Sequence, residues 1–316
     1  MSTAAKPVED MRAQLIGTGI LLIGGMLVGL APIGLRYAVD MGLTSQTTAF
    51  WRFTLAVPIL LFYYGVRQKK PAKPSLFALA AGAFFALDIG TWHLALTITS
   101  VANATFILNL GNVGVGFLAW IFLKDRPSLF WGVAVLLALA GAYFLSMGGA
   151  VSAGGGSVTG DALALLAALF VSFYMLFATL ARRRGMPALD VLLWATIAES
   201  VVAGMMSVSF GDPLIPPSLE SLTVPVLLAV FVQIAGQGCI IYGVGRAPAS
   251  ISGLMVLAQP VTAAIISWPL FGERLNAVQL FGAGLIVFGL AVSQVRLPKK
   301  KSKPIEAEAE ESKKLS

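Results

Sequence analysis

Ten apolar stretches, each close to the length of a membrane-spanning helix, follow one another along almost the whole chain. They begin near Leu15, Thr47, Leu76, Val101, Leu129, Asp161, Leu189, Thr223, Ala249 and Leu275. A helix needs about 20 mainly apolar residues to cross the hydrocarbon core. In lipid, every backbone N–H and C=O must find its partner inside the element, which makes each such stretch a helix. The pattern predicts an all-α integral membrane protein with ten transmembrane helices. Only 12% of residues are charged, about half the share usual in a soluble domain. The connections between stretches are too short for a soluble catalytic domain, so function is expected inside the bilayer.

Charge sets the expected orientation. Lys and Arg in short loops favour the cytoplasmic side. With both termini cytoplasmic, the inner loops hold Arg67, Lys69, Lys70 and Lys73, then Lys124 and Arg126, then Arg182, Arg183 and Arg184, then Arg246. The outer connections hold only Arg36 and Arg274. The pI of 9.6 therefore reflects topology, and nucleic acid is not expected as a partner. The first apolar run, Leu15 to Val39, is longer than a signal-peptide core and lacks a small-residue cleavage site, so it reads as the first helix. Cys239 is the single cysteine and reads as a small buried hydrophobe.

The second half repeats the first at an offset of 148 residues. Trp120 falls on Trp268, Asp125 on Glu273, Arg126 on Arg274, Gly141 on Gly289, and the break at Ser100 on Pro248. Five spans per half is an odd number, so the second copy enters the membrane inverted. Inverted repeats are a transporter device, with the solute held near the midplane between the copies. The expected organisation is an N-terminal cytoplasmic tail (1–12), a first five-helix repeat (13–147), a Gly-rich outer linker (148–160), a second five-helix repeat (161–296) and a charged tail (297–316). That tail, a basic cluster followed by Glu306, Glu308, Glu310 and Glu311, has too little apolar content to order itself.

A resemblance rests on the ends of the two halves. The second copy has Pro260, Gly272-Glu273-Arg274, Gly282 and Gly289. The first has Lys124-Asp125-Arg126 with Gly132 and Gly141, and Phe50-Trp51-Arg52-Phe53 fits the second helix. Over residues 13 to 296 the chain resembles the drug/metabolite transporter superfamily in its ten-helix EamA branch. Within that branch it is similar to YddG-type amino-acid exporters of bacterial inner membranes. It departs from the pattern where Asn112 stands in place of a second Pro260, and where Asp125 replaces the usual Glu. The resemblance implies a multi-pass exporter of the cell inner membrane.

Polar residues inside spans are costly, about 2.5 to 3.5 kcal/mol for a charge at the bilayer centre, and they face a cavity or pair. Arg52, Asp88, His93 and Glu199 are the ionisable candidates. Asp88 and Trp92, four apart, share a helix face. They suit an ammonium group and an apolar side chain, or ordinary packing. His93 is a proton-coupling candidate or a hydrogen-bonded packing residue. Arg52 and Glu199 read as structural or coupling partners of neighbouring helices. Asn109 and Asn112 share a face of the fourth span, and Gln233 and Gln237 a face of the eighth. Two amide pairs line a polar cavity for a zwitterion, or bond helices together. Tyr174 and Phe177 offer an aromatic wall or helix packing. Gly24, Gly25 and Gly29 crowd the first span ahead of Pro32 and suit motion or close approach. Pro58, Pro260 and Pro269 remove backbone donors within or near apolar runs, where a kink is a gate or a static bend. Gly282, Gly284 and Gly289 suit tight helix packing.

No phosphate-cradling Gly-rich loop, metal-spaced His/Cys cluster or voltage-sensor arginine row is present in the sequence. No cofactor or metal is implied and an enzyme is not expected. The expected function is a secondary transporter exporting small organic solutes, neutral and aromatic amino acids first, by alternating access. A broad drug or metabolite efflux carrier is the alternative, with a passive channel or intramembrane enzyme behind it. The expected partners are a small-molecule substrate and the lipid bilayer, with the monomer as functional unit. Because Asp88, His93 and Glu199 form no evident relay, a facilitator is favoured over proton coupling.

Overall fold

The computed structural model describes residues 5–99, 101–125, 127–147, 157–271 and 276–293, and all of its regular structure is helical. The elements are α1 (Ala5–Val28), α2 (Ala31–Asp40), α3 (Ser45–Val66), α4 (Leu76–Ile98), α5 (Val101–Leu123), α6 (Leu129–Met147), α7 (Val158–Arg183) and α8 (Ala188–Ser209). A rod over 220–244 follows, comprising a short 3₁₀ turn, α9 (Thr223–Leu227), a π-helical segment (Leu228–Gln237) and α10 (Gly238–Val244). The last helices are α11 (Ala249–Val256), α12 (Ala258–Phe271) and α13 (Ala277–Ser293). Among the described residues, seven helices are long and apolar enough to cross a membrane, and three further apolar helices are shorter. The predicted starts at Leu15 and Asp161 fall inside helices that begin earlier, at Ala5 and Val158. Leu275, the tail 297–316 and most of the 148–160 linker lie outside the described residues.

Two predicted spans are interrupted, each beside a proline. The first breaks at Gly29 and Leu30, with Pro32 in the opening turn of α2. The ninth breaks at Leu257, and Pro260 stands in the opening turn of α12. Proline is tolerated in a first helical turn, where its missing N–H removes a donor that has no partner anyway. At the position matching Pro260 the first half has Asn112, and there α5 runs unbroken.

Close approaches at glycine bring the helices together. A Cβ at Gly82 of α4 would lie 2.0 Å from the carbonyl oxygen of Ala195 in α8. At Gly253 of α11 it would lie 2.2 Å from the carbonyl oxygen of Asn112 in α5. α6 and α13 pack reciprocally. Gly141 faces the Gly282 carbonyl, and Gly289, its partner at the repeat offset, faces the Ala134 carbonyl. Position i meeting j while the equivalent of i meets the equivalent of j is what a two-fold relation produces. Gly284 departs from the expectation of tight packing, because among the described residues no neighbour lies within 4 Å of its would-be Cβ.

The two ends of the bundle differ in charge. Asp125, at the end of α5, accepts from Arg183 at the end of α7. Asp190, at the start of α8, accepts from Tyr64 of α3 and from the backbone of Ala72. Arg184 lies 4.1 Å over the Phe77 ring at the start of α4. These contacts gather the loops carrying Arg67, Lys69, Lys70, Lys73, Lys124, Arg182 to Arg184 and Arg246 at one end. The opposite end is tied by neutral and acidic groups. Thr99 donates to Asp161 at 2.7 Å, Thr47 to the Pro213 carbonyl at 2.7 Å and Trp51 to the Leu214 carbonyl at 2.8 Å.

Candidate functional site

A polar network crosses the core where α3, α8 and the π-helical segment meet. Gln233 is its centre and is fully buried. Its Oε1 accepts from Arg52 Nη2 at 3.1 Å, while its Nε2 donates to Glu199 Oε2 at 2.6 Å and to Thr196 Oγ1 at 3.0 Å. The side-chain amide thus joins Arg52 of the first half to Glu199 of the second. Thr196 and Glu199 are three apart on α8 and so share a face. The guanidinium of Arg52 also lies 4.8 Å from the ring centre of Phe53 and 5.8 Å from that of Phe85. Arg52 and Glu199, expected as structural or coupling partners, are brought together here.

The π-helical winding falls on the segment that carries both glutamines. Such segments are rare and concentrate at functional sites. Gln233 and Gln237 are both buried, but they serve different neighbours. Gln237 Oε1 accepts from the Tyr174 hydroxyl at 2.6 Å, and the Tyr174 ring packs on Phe85 at 4.7 Å. Tyr174→Phe removes that hydroxyl alone. We expect a loss of about 1 kcal/mol in stability, read as a lower melting temperature of the purified protein, with little change of fold.

Phe177 belongs elsewhere. It stacks on Phe84 at 5.5 Å and an interplanar angle of 7°, and it also meets Phe77 and Phe173. These rings form a ladder between α4 and α7, so Phe177 and Tyr174 do not make one wall. Asn109 and Asn112 are buried on α5, which packs on α7 and α11, whereas the π-helical segment packs on α1 and α3. Asn112 marks the α5–α11 crossing through its backbone. Pro260 lies at the break between α11 and α12, and Glu273 lies outside the described residues.

Asp88, Trp92 and His93 of α4 are in a different chemical state. Among the described residues, Asp88 Oδ1, Trp92 Nε1 and His93 Nδ1 are buried without a hydrogen-bond partner, and so is Arg52 Nε. Leaving a buried polar group unpaired costs about 1 to 3 kcal/mol, more when it is charged. Such groups are accounted for by ordered water, a bound ion or a functional role. Together they present a carboxylate oxygen, an indole N–H, an imidazole nitrogen and a guanidinium N–H.

Sequence reasoning missed Thr196, Gln46 and the Thr54–Ser200 pair. Gln46 donates to the Gly90 carbonyl at 3.1 Å, and Thr54 and Ser200 hydroxyls lie 2.6 Å apart between α3 and α8. The signal for Thr196 was its spacing from Glu199. Hydroxyls and helix-terminal amides are too common in spans to single out without their neighbours.

Comparison with known proteins agrees with this architecture. A 24% identical relative over 277 residues, covering 84% of this chain and 93% of its own length, is an uncharacterized transporter of Archaeoglobus fulgidus. The uncharacterized transporter YwfM of Bacillus subtilis is 24% identical over 215 residues, covering 66% of this chain and 69% of its own. A solved crystal structure superposes with a TM-score of 0.76 at 18% identity, over 90% of this chain and 96% of the other, and supports the fold alone. The profile of the EamA-like transporter family matches twice, over residues 15–147 and 158–294, once for each half read from the sequence. With nearly every described helix inside those two matches, the chain belongs to the EamA-like transporter family.

Proposed function

We propose that this transporter exports neutral and aromatic amino acids across the cell inner membrane by alternating access. In this reading ten spans form two inverted five-helix repeats, 13–147 and 161–296, with the basic end of the bundle and both termini in the cytoplasm. The monomer suffices, and the solute lies between the halves. The reciprocal Gly141 and Gly289 contacts and the one-sided basic loops support that arrangement.

The observation that carries the substrate class is the set of buried, unpaired groups on α3 and α4. A zwitterion needs an anionic acceptor for its ammonium and cationic or neutral donors for its carboxylate. Asp88 supplies the first, and Arg52 Nε and Trp92 Nε1 the second. The Trp92 ring adds an apolar surface for a side chain. Both N–H donors of the Gln233 amide are engaged and its oxygen accepts from Arg52, so its role in this reading is to hold Arg52. A second reading rests on Asp88 alone. A buried carboxylate without a protein partner also suits a lipophilic cation, which makes a broad drug or metabolite exporter the competitor.

Counterflow in liposomes tests both. Saturable exchange of labelled neutral amino acid is expected, reduced by Asp88→Asn, while Asn109→Ala, Gln233→Ala and Gln237→Ala each cost about 1 to 3 kcal/mol of transport free energy. Competition by lipophilic cations with no competition by amino acids would select the second reading, and non-saturating flux would mean a channel. Without a nucleotide-binding loop the flux runs down a gradient. We expect an imposed pH gradient to leave the final amino-acid distribution unchanged, as a facilitator requires.

A further inference from the structure

At the basic end of the bundle a cleft of about 210 Å³ opens between the start of α1, the ends of α5 and α7, and the turn joining α10 to α11. Gln14, Asp125, Arg183, Arg246 and the backbone around Gly245 form its walls. A space of this size holds several waters or one tetrahedral oxyanion.

Charge in and behind the cleft is unbalanced. Asp125 Oδ2 is already engaged, accepting from Arg183 Nη2 at 2.7 Å and from the Ala249 N–H at 3.2 Å. Arg246 donates Nη1 to the Tyr242 carbonyl at 3.4 Å, and its guanidinium lies 3.7 Å over the Tyr242 ring. Arg182 lies close enough to Arg246 for the two charges to repel. Its Nη1 donates to the Met186 carbonyl, and its Nε is buried without an acceptor among the described residues. Among the described residues, neither Arg182 nor Arg246 has a carboxylate partner.

The backbone is shaped to keep this arrangement. A Cβ at Gly245 would lie 2.8 Å from Arg182 Nε, and a Cβ at Gly17 would lie 2.6 Å from the Cβ of Arg246. Glycine at both places lets α1 pack on the backbone of the 245–248 turn and lets that turn lie against the Arg182 guanidinium. Holding two like charges together is unfavourable unless an opposite charge joins them.

We propose that this cleft is a binding site for a phosphate-type oxyanion, docked on the N–H edge of Arg246 left over by Tyr242, with Arg182 behind Gly245 supplying further positive charge. A planar guanidinium fork matches a tetrahedral oxyanion through two parallel hydrogen bonds. Stacking on Tyr242 fixes the plane of that fork in advance. The oxyanion is either the headgroup of an anionic phospholipid, which basic residues flanking spans attract, or a soluble phosphate. The chemistry of recognition is the same for both. The site is separate from the Arg52–Gln233–Glu199 network and does not depend on the solute assigned above.

Thermal unfolding of the full chain in neutral maltoside micelles at fixed ionic strength tests this. One arm titrates inorganic phosphate, and the other titrates phosphatidylglycerol against phosphatidylcholine. The wild-type melting temperature should rise saturably by roughly 3 °C or more. Arg246→Gln should raise the midpoint of the titration at least about tenfold, with a smaller weakening in Arg182→Gln. Arg67→Gln, an exposed guanidinium in another loop, should respond as wild type. A response to phosphate identifies a soluble anion, and a response to phosphatidylglycerol alone identifies a headgroup; either supports the site. If Arg246→Gln does not fold, Arg246→Lys replaces it, keeping the charge and losing the fork. No saturable response in either arm, or equal midpoints for wild type and the Arg246 variant, overturns the proposal.

Discussion

Glu199→Ala should lower stability by about 3 to 5 kcal/mol, the range found when one member of a buried charged pair is removed. Glu199 is buried and accepts from Gln233 at 2.6 Å, and its charge lies within electrostatic reach of Arg52. The Gln233 amide ties the two, so losing the carboxylate leaves Arg52 buried without a counter-charge and Gln233 with an unused N–H. Glu199→Gln should be milder, because its amide oxygen still accepts from Gln233 Nε2. The sharper test is the pair. Replacing Arg52 by Met together with Glu199 by Leu should recover a large part of the loss, since well-packed apolar side chains replace buried ion pairs with little penalty. Melting temperatures of the purified single and double variants read this directly. If the two single losses simply add in the double variant, Arg52 and Glu199 do not act as a pair. Transport should fail in the double variant even where stability returns, because the guanidinium assigned to the solute is gone.

Residue type and spacing made the helical architecture legible. Of the three prolines read as removing backbone donors, Pro260 stands beside a helix break while Pro58 and Pro269 lie inside helices, and the partner of the glycines in the last span was not legible. The candidate site was legible only as a roster. Gln233 and Gln237, four apart, read as one face that either lines a cavity or bonds helices together. In the fold, Gln233 spends both ends of its amide on Arg52, Thr196 and Glu199, and Gln237 takes the Tyr174 hydroxyl. Spacing along one helix says which side chains point the same way. It does not say which helix stands opposite, and the opposite helix decides whether an amide is free. The same gap separated Tyr174 from Phe177, because α4 presents Phe85 to the first and a stack around Phe84 to the second. The π-helical winding had no signature in the residues themselves.

Gly253→Leu should have a larger structural effect than any polar substitution at the α5–α11 crossing. A Cβ there would lie 2.2 Å from the Asn112 carbonyl oxygen, and the atom it meets is helix backbone, which cannot rotate away. Overpacking of a core typically costs about 1 to 3 kcal/mol when side chains can yield, so a clash with backbone should reach about 3 kcal/mol or more. α11 has little room to move. Ser250 of the same helix accepts from Trp131 Nε1 at 2.9 Å, and its first N–H, on Ala249, is held by Asp125. To admit a leucine the helix must break both contacts or leave α5, and either opens the joint between the two halves. Gel filtration of detergent-solubilised protein should show loss of the monodisperse peak, with no transport left to measure. Gly284→Leu is the matched control. It places the same side chain on another apolar helix where, among the described residues, no neighbour lies within 4 Å of the would-be Cβ, and its change should stay within about 0.5 kcal/mol. Equal behaviour of the two variants would mean that α5 and α11 are not in backbone contact at Asn112, and that the halves meet by some other route.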